Sequence, residues 1–464
     1  MNIRDAMTNP DLFGDLFAGD SWHAWRALLA GFYGLSLTDA EREPFQAVTG
    51  RERPPDKPSD ELWMAIGRRG GKSHIAALLA VFEACFRDHS ENLSPGEVAT
   101  VFVVAADRRQ ARVVMRYVEG LIDGNPMLAR MVTKRTTESV ELSNRTVIEV
   151  GTCSIRALRG YTLAAAILDE IAFWYSDGAK PDREVVASIR PALATLGGPL
   201  IALSSPYARR GMLWDQYRRY YGKTGRVLVA KAPSRTMNPT LSAQIVNDAL
   251  ADDPAAAGAE YLAEFRKDVE EFASLEVIQA CIEPGCRERP KVADVRYTAF
   301  VDPSGGSSDS FTLAIAHRER ERVFLDTVRE VRPPFSPESV VSEFVQLLRH
   351  YRCRHVIGDR YAGEWPREQF RKRGIGYKVS ERTRSELYCD LLPLLNSQTV
   401  ELLDNERLVS QLNQLERRTS RAGRDSIDHG PGGHDDLINA AAGAVVHCGV
   451  LEKKLVFPNV GSLM

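Results

Sequence analysis

The sequence predicts an α/β protein built from two sheet-forming halves, and three observations carry that prediction. Short, wholly apolar runs alternate with amphipathic stretches between about Leu62 and Ala230. A glycine-rich turn, Gly67-Arg68-Arg69-Gly70-Gly71-Lys72-Ser73, joins the first of these runs to a helical pattern. A second group of apolar runs begins near Val295, and two of its runs end on a carboxylate.

Taken in order, the runs Leu62–Ile66, Val101–Ala105, Ala164–Leu168, Leu200–Leu203 and Val227–Ala230 are apolar throughout, and helical patterns such as His74–Cys85 and Arg108–Leu121 lie between them. Strands without polar alternation are buried on both faces, which predicts a mainly parallel sheet covered by helices. From Arg235 to Cys281 the character changes: Asn238-Pro239, Asp253-Pro254 and a helical run around Tyr261–Phe265 suggest a small helical linker or lid without strands. Then Tyr297–Val301, Phe311–His317 and Val323–Val328 read as a three-strand meander through Gly305-Gly306 and the charged turn Arg318–Arg322. A helix Pro337–Tyr351, a strand His355–Gly358 and a last helix from about Asp435 to Val446 follow. The tail Lys453–Met464, with Pro458 and Gly461, is expected outside the core. The expected divisions are 1–234, 235–294, 295–450 and 451–464.

Composition narrows the class. The 464 residues suffice for two or three domains, and 44% hydrophobic with 26% charged residues is the balance of a soluble globular chain. No run has the apolar length of a membrane span, and Met1-Asn2-Ile3-Arg4-Asp5 holds no apolar signal core. Seven cysteines are scattered without a CxxC pair; Cys281 and Cys286 lack further ligands at zinc spacing and read as reduced thiols. The net charge of −2 shows no basic excess, so any contact with nucleic acid must use local patches.

The turn Gly67–Ser73 has the context of a phosphate-binding loop. Glycine amides curl around phosphates, the Lys72 ammonium reaches the outer ones, and the Ser73 hydroxyl ligates magnesium. The formal pattern places its first glycine at Ile66, whereas this chain has Gly67. About a hundred residues on, Ala164–Leu168 ends in Asp169-Glu170. The first acid is placed to hold magnesium, the second to orient or deprotonate a water, so ATP hydrolysis is the expectation. Ser204-Ser205-Pro206, at the tip of another strand, offers hydroxyls to sense the γ-phosphate or simply turns the chain.

In the second half Asp302 ends the first strand, Asp359 ends the strand at His355–Gly358, and Asp435-Asp436 opens the last helix. Each alone suits a cap or a solvated strand end. Their order resembles the RNase H-like nucleases, in which three acids hold two divalent ions across a phosphodiester. Oxygen ligands favour Mg2+ or Mn2+. The basic stretches Arg367–Arg373 and Arg417–Arg424 flank these acids and either contact phosphates or form solvated faces.

Together these pieces resemble the large terminase subunit of tailed double-stranded DNA bacteriophages over nearly the whole chain. The resemblance rests on Gly67–Ser73, Leu168-Asp169-Glu170, Ser204-Ser205-Pro206, the stretch from Asn238-Pro239 to Glu260–Phe265, and the carboxylates. It implies an N-terminal P-loop ATPase of the ASCE type, a helical linker and a C-terminal RNase H-like nuclease. It further implies that Gln46 recognises adenine, that Arg159 reaches a neighbouring subunit's nucleotide, and that Ser204-Ser205 couples hydrolysis to movement. The implied activity is translocation of double-stranded DNA through the portal into the procapsid, with cutting of concatemers at both ends of the process. The implied partners are the portal protein, with the tail after Val446 as its expected contact, a small terminase subunit that selects viral DNA, and other copies in a ring, expected as a pentamer. The implied location is the infected host's cytoplasm, with transient attachment to the procapsid and absence from the mature virion. Between Asp435 and Asp436 the third acid is open, because adjacent helical residues point about 100° apart; Asp436 is favoured, since Asn439-Ala440 one turn later lets the helix pack closely.

Two rivals remain at this level. An ATP-driven repair or helicase-type enzyme with a fused nuclease needs a second ATPase-like lobe, for which the chain between Ser205 and Asp302 is too short. A nucleotide-binding assembly protein with an inactive second half would not nick plasmid.

Overall fold

The computed structural model describes residues 1–152, 160–174, 181–306, 309–359, 364–419, 425–430 and 433–450. Two compact units divide between Lys267 and Asp268. Among the described residues no helix is long and apolar enough to cross a membrane.

The first unit is organised by an eight-stranded sheet. Its strands are β1 (Glu61–Ile66), β2 (Ala99–Ala105), β3 (Val132–Arg135), β4 (Ser139–Leu142), β5 (Thr146–Thr152), β6 (Thr162–Asp169), β7 (Leu200–Ser204) and β8 (Val227–Ala232), in the order β3-β4-β5-β2-β6-β7-β1-β8. From β5 to β8 all pairs are parallel. Helices Lys72–Cys85 and Arg108–Asp123 cover one face, and helices Pro181–Leu193 and Gly211–Tyr220 pack on the other. Apolar residues on both sides of β1, β2 and β6 therefore leave water, which is why these strands carry no polar alternation. The antiparallel additions β3 and β4 were not visible in the sequence: β3 is polar and largely exposed, and β4 alternates over only four residues. β7 lies between β1 and β6, so the strand feeding the glycine-rich loop and the strand ending in acids flank a third strand tip.

The second unit contains β9 (Val269–Glu271), β10 (Ile282–Glu283), β11 (Tyr297–Asp302), β12 (Phe311–Glu319), β13 (Arg322–Val331), β14 (His355–Gly358), β15 (Gly376–Val379), β16 (Val400–Leu403), β17 (Leu415–Thr419) and β18 (Asp425–His429). The main sheet runs β10-β16-β13-β12-β11-β14-β15, and β18-β17-β9 forms a small sheet. Its core, an antiparallel β13-β12-β11 meander continued by parallel β14 and β15, is the RNase H-like order. Helix Asp436–Val450 crosses this sheet at close range: a Cβ on Gly443 would stand 2.3 Å from the Phe300 ring.

The segment from residue 235 to 294 is not purely helical. Helices Ala243–Asp252, Pro254–Leu262 and Leu275–Ala280 are joined by β9 and β10, strands of three and two residues that are too short to display a period. The helix expected around Tyr261–Phe265 stops at Leu262, with Ala263 left-handed at φ 57°.

Candidate functional site

The glycine-rich loop is held from several directions. The Gly67 amide donates to the Ala232 carbonyl at 3.0 Å, the Arg68 amide donates to the Glu260 carbonyl, and Ser234 Oγ donates to the Arg68 carbonyl at 2.6 Å. Asn238 Nδ2 donates to the Arg69 carbonyl (2.9 Å), and Trp25 Nε1 to the Gly70 carbonyl (2.8 Å). A Cβ on Gly67 would lie 2.4 Å from Ser234 Oγ and 2.8 Å from the Tyr261 carbonyl, so only glycine passes between these segments. Gly71, at φ 94°, starts helix Lys72–Cys85. Arg69 is left-handed at φ 64°, an uncommon conformation for a side-chain-bearing residue. Ile66, at the formal first-glycine position, remains the last, buried residue of β1. Arg68 pairs with Glu260 at 3.1 Å on the surface, and Ser73 is half-buried in the first helical turn.

Lys72 is buried, and its ammonium donates to Ser205 Oγ (2.8 Å) and the Ile66 carbonyl (3.2 Å) while pairing with Glu170 at 3.3 Å. Glu170 is left-handed at φ 52°, and its carboxylate accepts from Ser204 Oγ (2.9 Å) and the Ser205 amide (3.0 Å). The tips of β1, β6 and β7 thus meet through one lysine, one glutamate and two serines. Asp169 ends β6 fully buried; one oxygen accepts from Gln110 Nε2 at 3.2 Å, while the other has no hydrogen-bond partner among the described residues. Burial first, then the charge of Glu170, pushes the Asp169 carboxyl upward, with Gln110 and Lys72 opposing. A buried carboxylate oxygen without a donor suits a cation, and an oxygen ligand set suits magnesium.

Gln46 is exposed on helix Asp39–Thr49, and no described contact brings its side chain to the loop. Arg159 lies outside the described residues.

In the second unit, parallel pairing of Val301 with Gly358 brings the next residues, Asp302 and Asp359, to the same end of neighbouring strands. Asn439 Nδ2 donates to both, at 2.7 Å to Asp302 and 3.1 Å to Asp359, and its own oxygen is buried without a partner among the described residues. Asp436 is three residues earlier on the same helix face. It accepts from the Ser310 amide at 3.1 Å and lines, with Asp302, Asp359 and Asn439, a cavity of about 550 Å³. Asp302 opens on that cavity yet is hemmed in by protein. Burial, followed by the charges of Asp359, Asp436 and Asp435, pushes it up to about 8, against the Asn439 hydrogen bond.

Asp435 faces elsewhere. It is buried and accepts from Arg384 Nη1 and Tyr388 OH, both at 2.9 Å. Arg384 also donates to Asp428 at 3.1 Å and lines the cavity with Thr383 and Ser385. Asp436, favoured over Asp435 from the sequence, is the one of the two that lines the cavity with Asp302 and Asp359, and Asn439, expected only as a small residue for close packing, contacts both of those acids. Among the described residues, no three His, Cys, Asp or Glu side chains converge tightly enough to hold one metal ion. The Asn439 amide stands between two of the acids and donates to both, which eases the repulsion between their carboxylates. The donors fit a hard divalent cation, given three carboxylates and the Asn439 amide oxygen.

Residues 420–424 of the second basic stretch lie outside the described residues, and four of the six described basic side chains in the two stretches pair with nearby acids. Arg367 pairs with Glu364 (2.7 Å), Lys372 with Glu368 (2.8 Å), Arg417 with Asp425 (2.5 Å) and Arg418 with Glu416 (3.2 Å).

Fold and sites together define a chain with a P-loop-type half and an RNase H-like half, each presenting acids at its strand tips. No protein-family model matches the sequence, and no curated protein matches it. Among solved structures the chain is similar to the large terminase of bacteriophage HK97, at 16% identity and TM-score 0.39, covering 91% of this chain and 99% of that one. It is also similar to the large terminase of a thermophilic bacteriophage in complex with ATP-γ-S, at 12% identity and TM-score 0.35, covering 84% and 94%. The magnesium-bound large terminase nuclease of thermophilic phage G20c matches 37% of this chain and 95% of its own, at 16% identity and TM-score 0.32.

Proposed function

We propose that the protein is a viral DNA-packaging motor, an ATPase joined to a metal-dependent endonuclease. What carries the reading is the presence in one chain of the Lys72–Glu170–Ser205 cluster at a glycine-rich loop and the Asp302–Asp359–Asp436 cavity on an RNase H-like sheet.

In the first site ATP displaces the contacts Lys72 makes with Ser205 and the Ile66 carbonyl, and the ammonium moves to phosphate oxygens. Glu170, released from Lys72 but still held by Ser204 and the Ser205 amide, orients and deprotonates the attacking water. Movement of Ser204-Ser205 then links the state of the γ-phosphate to β7. Asp169 and Ser73 would hold Mg2+, which would neutralise phosphate charge. Gly67, Arg68, Arg69, Gly70 and Gly71 cradle the phosphates, Gln46 recognises the base, and Arg159 acts on a neighbouring copy's nucleotide.

In the second site Asp302, Asp359 and Asp436 would hold the divalent ions, Mg2+ or Mn2+, which would supply Lewis-acid activation of water and stabilisation of the leaving oxygen. Asn439 orients two of the carboxylates, and Asp435 fixes Arg384 rather than binding metal. Hydrolysis drives double-stranded DNA through the portal into the procapsid, and the nuclease cuts concatemers at initiation and termination. A ring of copies, a portal protein and a small terminase subunit complete the machine, in the cytoplasm of an infected bacterium.

The test is ATP hydrolysis with and without double-stranded DNA, alongside nicking of supercoiled plasmid in Mg2+ or Mn2+. DNA-stimulated hydrolysis together with metal-dependent nicking is expected; a chain that hydrolyses ATP but never cuts is the nucleotide-binding assembly protein instead.

A further inference from the structure

The second unit has another cavity, at the opposite end of its sheet from the acids. β11 and β14 pair only at Phe300–Ile357 and Val301–Gly358, so the two strands part toward their N-terminal ends. A cavity of about 690 Å³ lies there, lined in part by Tyr297, Thr298, Ala299 and His355, and it shares no residue with the acidic cavity. β11 spans the five steps from Tyr297 to Asp302, so the two ends are roughly 17 Å apart at strand rise.

Its charge is one-sided. Lys291, Arg296, Arg352, Arg354 and Lys378 line it against a single carboxylate, Asp294. All but the half-buried Lys291 are exposed, and among the described residues none of the five forms an ion pair. That contrasts with the basic stretches at 367–373 and 417–418, whose side chains are largely tied to neighbouring acids. In a chain of net charge −2, five clustered cations with no ion pair among the described residues are a local arrangement, not a by-product of basic composition.

We propose that this cleft is a nucleic-acid backbone site, which grips duplex DNA through its phosphates outside the cleavage cavity. It rests on the reading of the protein as a DNA-engaging enzyme and adds where the duplex is held. The arrangement suits a row of charges more than one small anion. Lys378 is level with Ile357, three residues beyond Arg354, which is about 10 Å along the strands. With one phosphate per roughly 3.4 Å of axis on each strand, that interval covers about three phosphates. Contacts of this kind set affinity and register without reading sequence.

The experiment uses the full chain, a labelled duplex and EDTA to prevent cutting, with fluorescence anisotropy read over a salt series. The triple variant Arg296→Glu/Arg354→Glu/Lys378→Glu should bind at least tenfold more weakly, and its salt slope should fall by about 2.7 if each residue contacts one phosphate. Because three charge reversals also change the net charge of the unit, single Arg354→Gln and Lys378→Gln variants are measured too, each expected to lower the slope by about 0.9. Nicking of supercoiled plasmid at saturating DNA should persist in all of them, since the acidic cavity is untouched. Unchanged affinity and slope in variants that still nick plasmid would overturn the proposal and leave the functional reading standing. A wild-type chain that neither binds nor nicks DNA overturns both. Loss of binding to an acidic polyglutamate peptide with DNA binding intact would assign the cleft to an acidic protein and overturn it as well.

Discussion

The two acidic sites solve the same electrostatic problem in opposite ways. At the tips of β6 and β7, Glu170 is compensated from within the chain by the buried Lys72, 3.3 Å away, and by two serines. In the second unit the neutral amide of Asn439 stands between Asp302 and Asp359, and Asp302 is pushed up to about 8. A lysine carried by the loop links the tips of β1, β6 and β7 in the first site. In the second unit Arg384, which lines the cavity, is engaged by Asp435 and Asp428. The lesson is that one acidic site is compensated by a charged side chain of its own loop and the other by a neutral amide.

The largest expected effects are losses of activity that separate the two sites. Lys72→Ala and Glu170→Gln should each lower ATP turnover by about 10²-fold or more, the scale for removing one transition-state contact. Glu170→Gln should still bind nucleotide, measured by equilibrium dialysis; near-normal turnover by this variant would remove its assigned role. Single changes Asp302→Ala, Asp359→Ala and Asp436→Ala should eliminate plasmid nicking with ATP turnover intact. Asp435→Asn should keep metal-dependent nicking at a rate lowered roughly 10–100-fold, as expected for a group that orients others. If Asp435→Asn is inactive at saturating Mn2+ while Asp436→Ala cuts, the two roles are exchanged.

Next in size are stability effects. In EDTA, Asn439→Ala should cost about 1.5–3 kcal/mol, the range for hydrogen bonds to charged groups, read as a shifted denaturation midpoint. Mn2+ should restore part of the loss if cations take over its compensating role. A smaller test concerns the core of the first unit and serves as a control without ligand. Glu83 is buried, accepts from Tyr33 OH at 2.6 Å, and is pushed up to about 6 by burial. Its folded carboxyl holds a proton at pH values where the unfolded one has lost it. Stability from this group is therefore complete below about 4.5 and is lost as pH rises through about 6. Glu83→Gln should flatten that decline and gain up to about 2 kcal/mol at pH 7; an unchanged pH profile would contradict it.

Much of the fold was legible because burial on both faces leaves an unbroken apolar run, as in β1, β2 and β6. What escaped is polar or short: β3 with its exposed Lys134 and Arg135, the three residues of β9, and β17, whose Arg417 and Arg418 read as a basic stretch. The proximity of Asp302 to Asp359 follows from strand ends in a parallel pair and was legible in outline. Other features depend on distant contacts that leave no local pattern. Ser234 and Asn238 bracing the loop, Gln110 on Asp169, and Asn439 between the acids are hydrogen bonds across 59 to 169 positions of chain. An asparagine in an alanine-rich helix gives no sign of its partners, although the spacing of Asp436 and Asn439 on one face was available.

The most direct test of the central claim, two independent catalytic centres in one chain, is a paired assay on the same preparations. ATP hydrolysis and Mn2+-dependent nicking of supercoiled plasmid are measured for the wild type, Lys72→Ala and Asp302→Ala. The account predicts that Lys72→Ala cuts without hydrolysing ATP and that Asp302→Ala hydrolyses ATP without cutting. Loss of both activities in either folded variant, or cutting by Asp302→Ala at the wild-type rate, would contradict it.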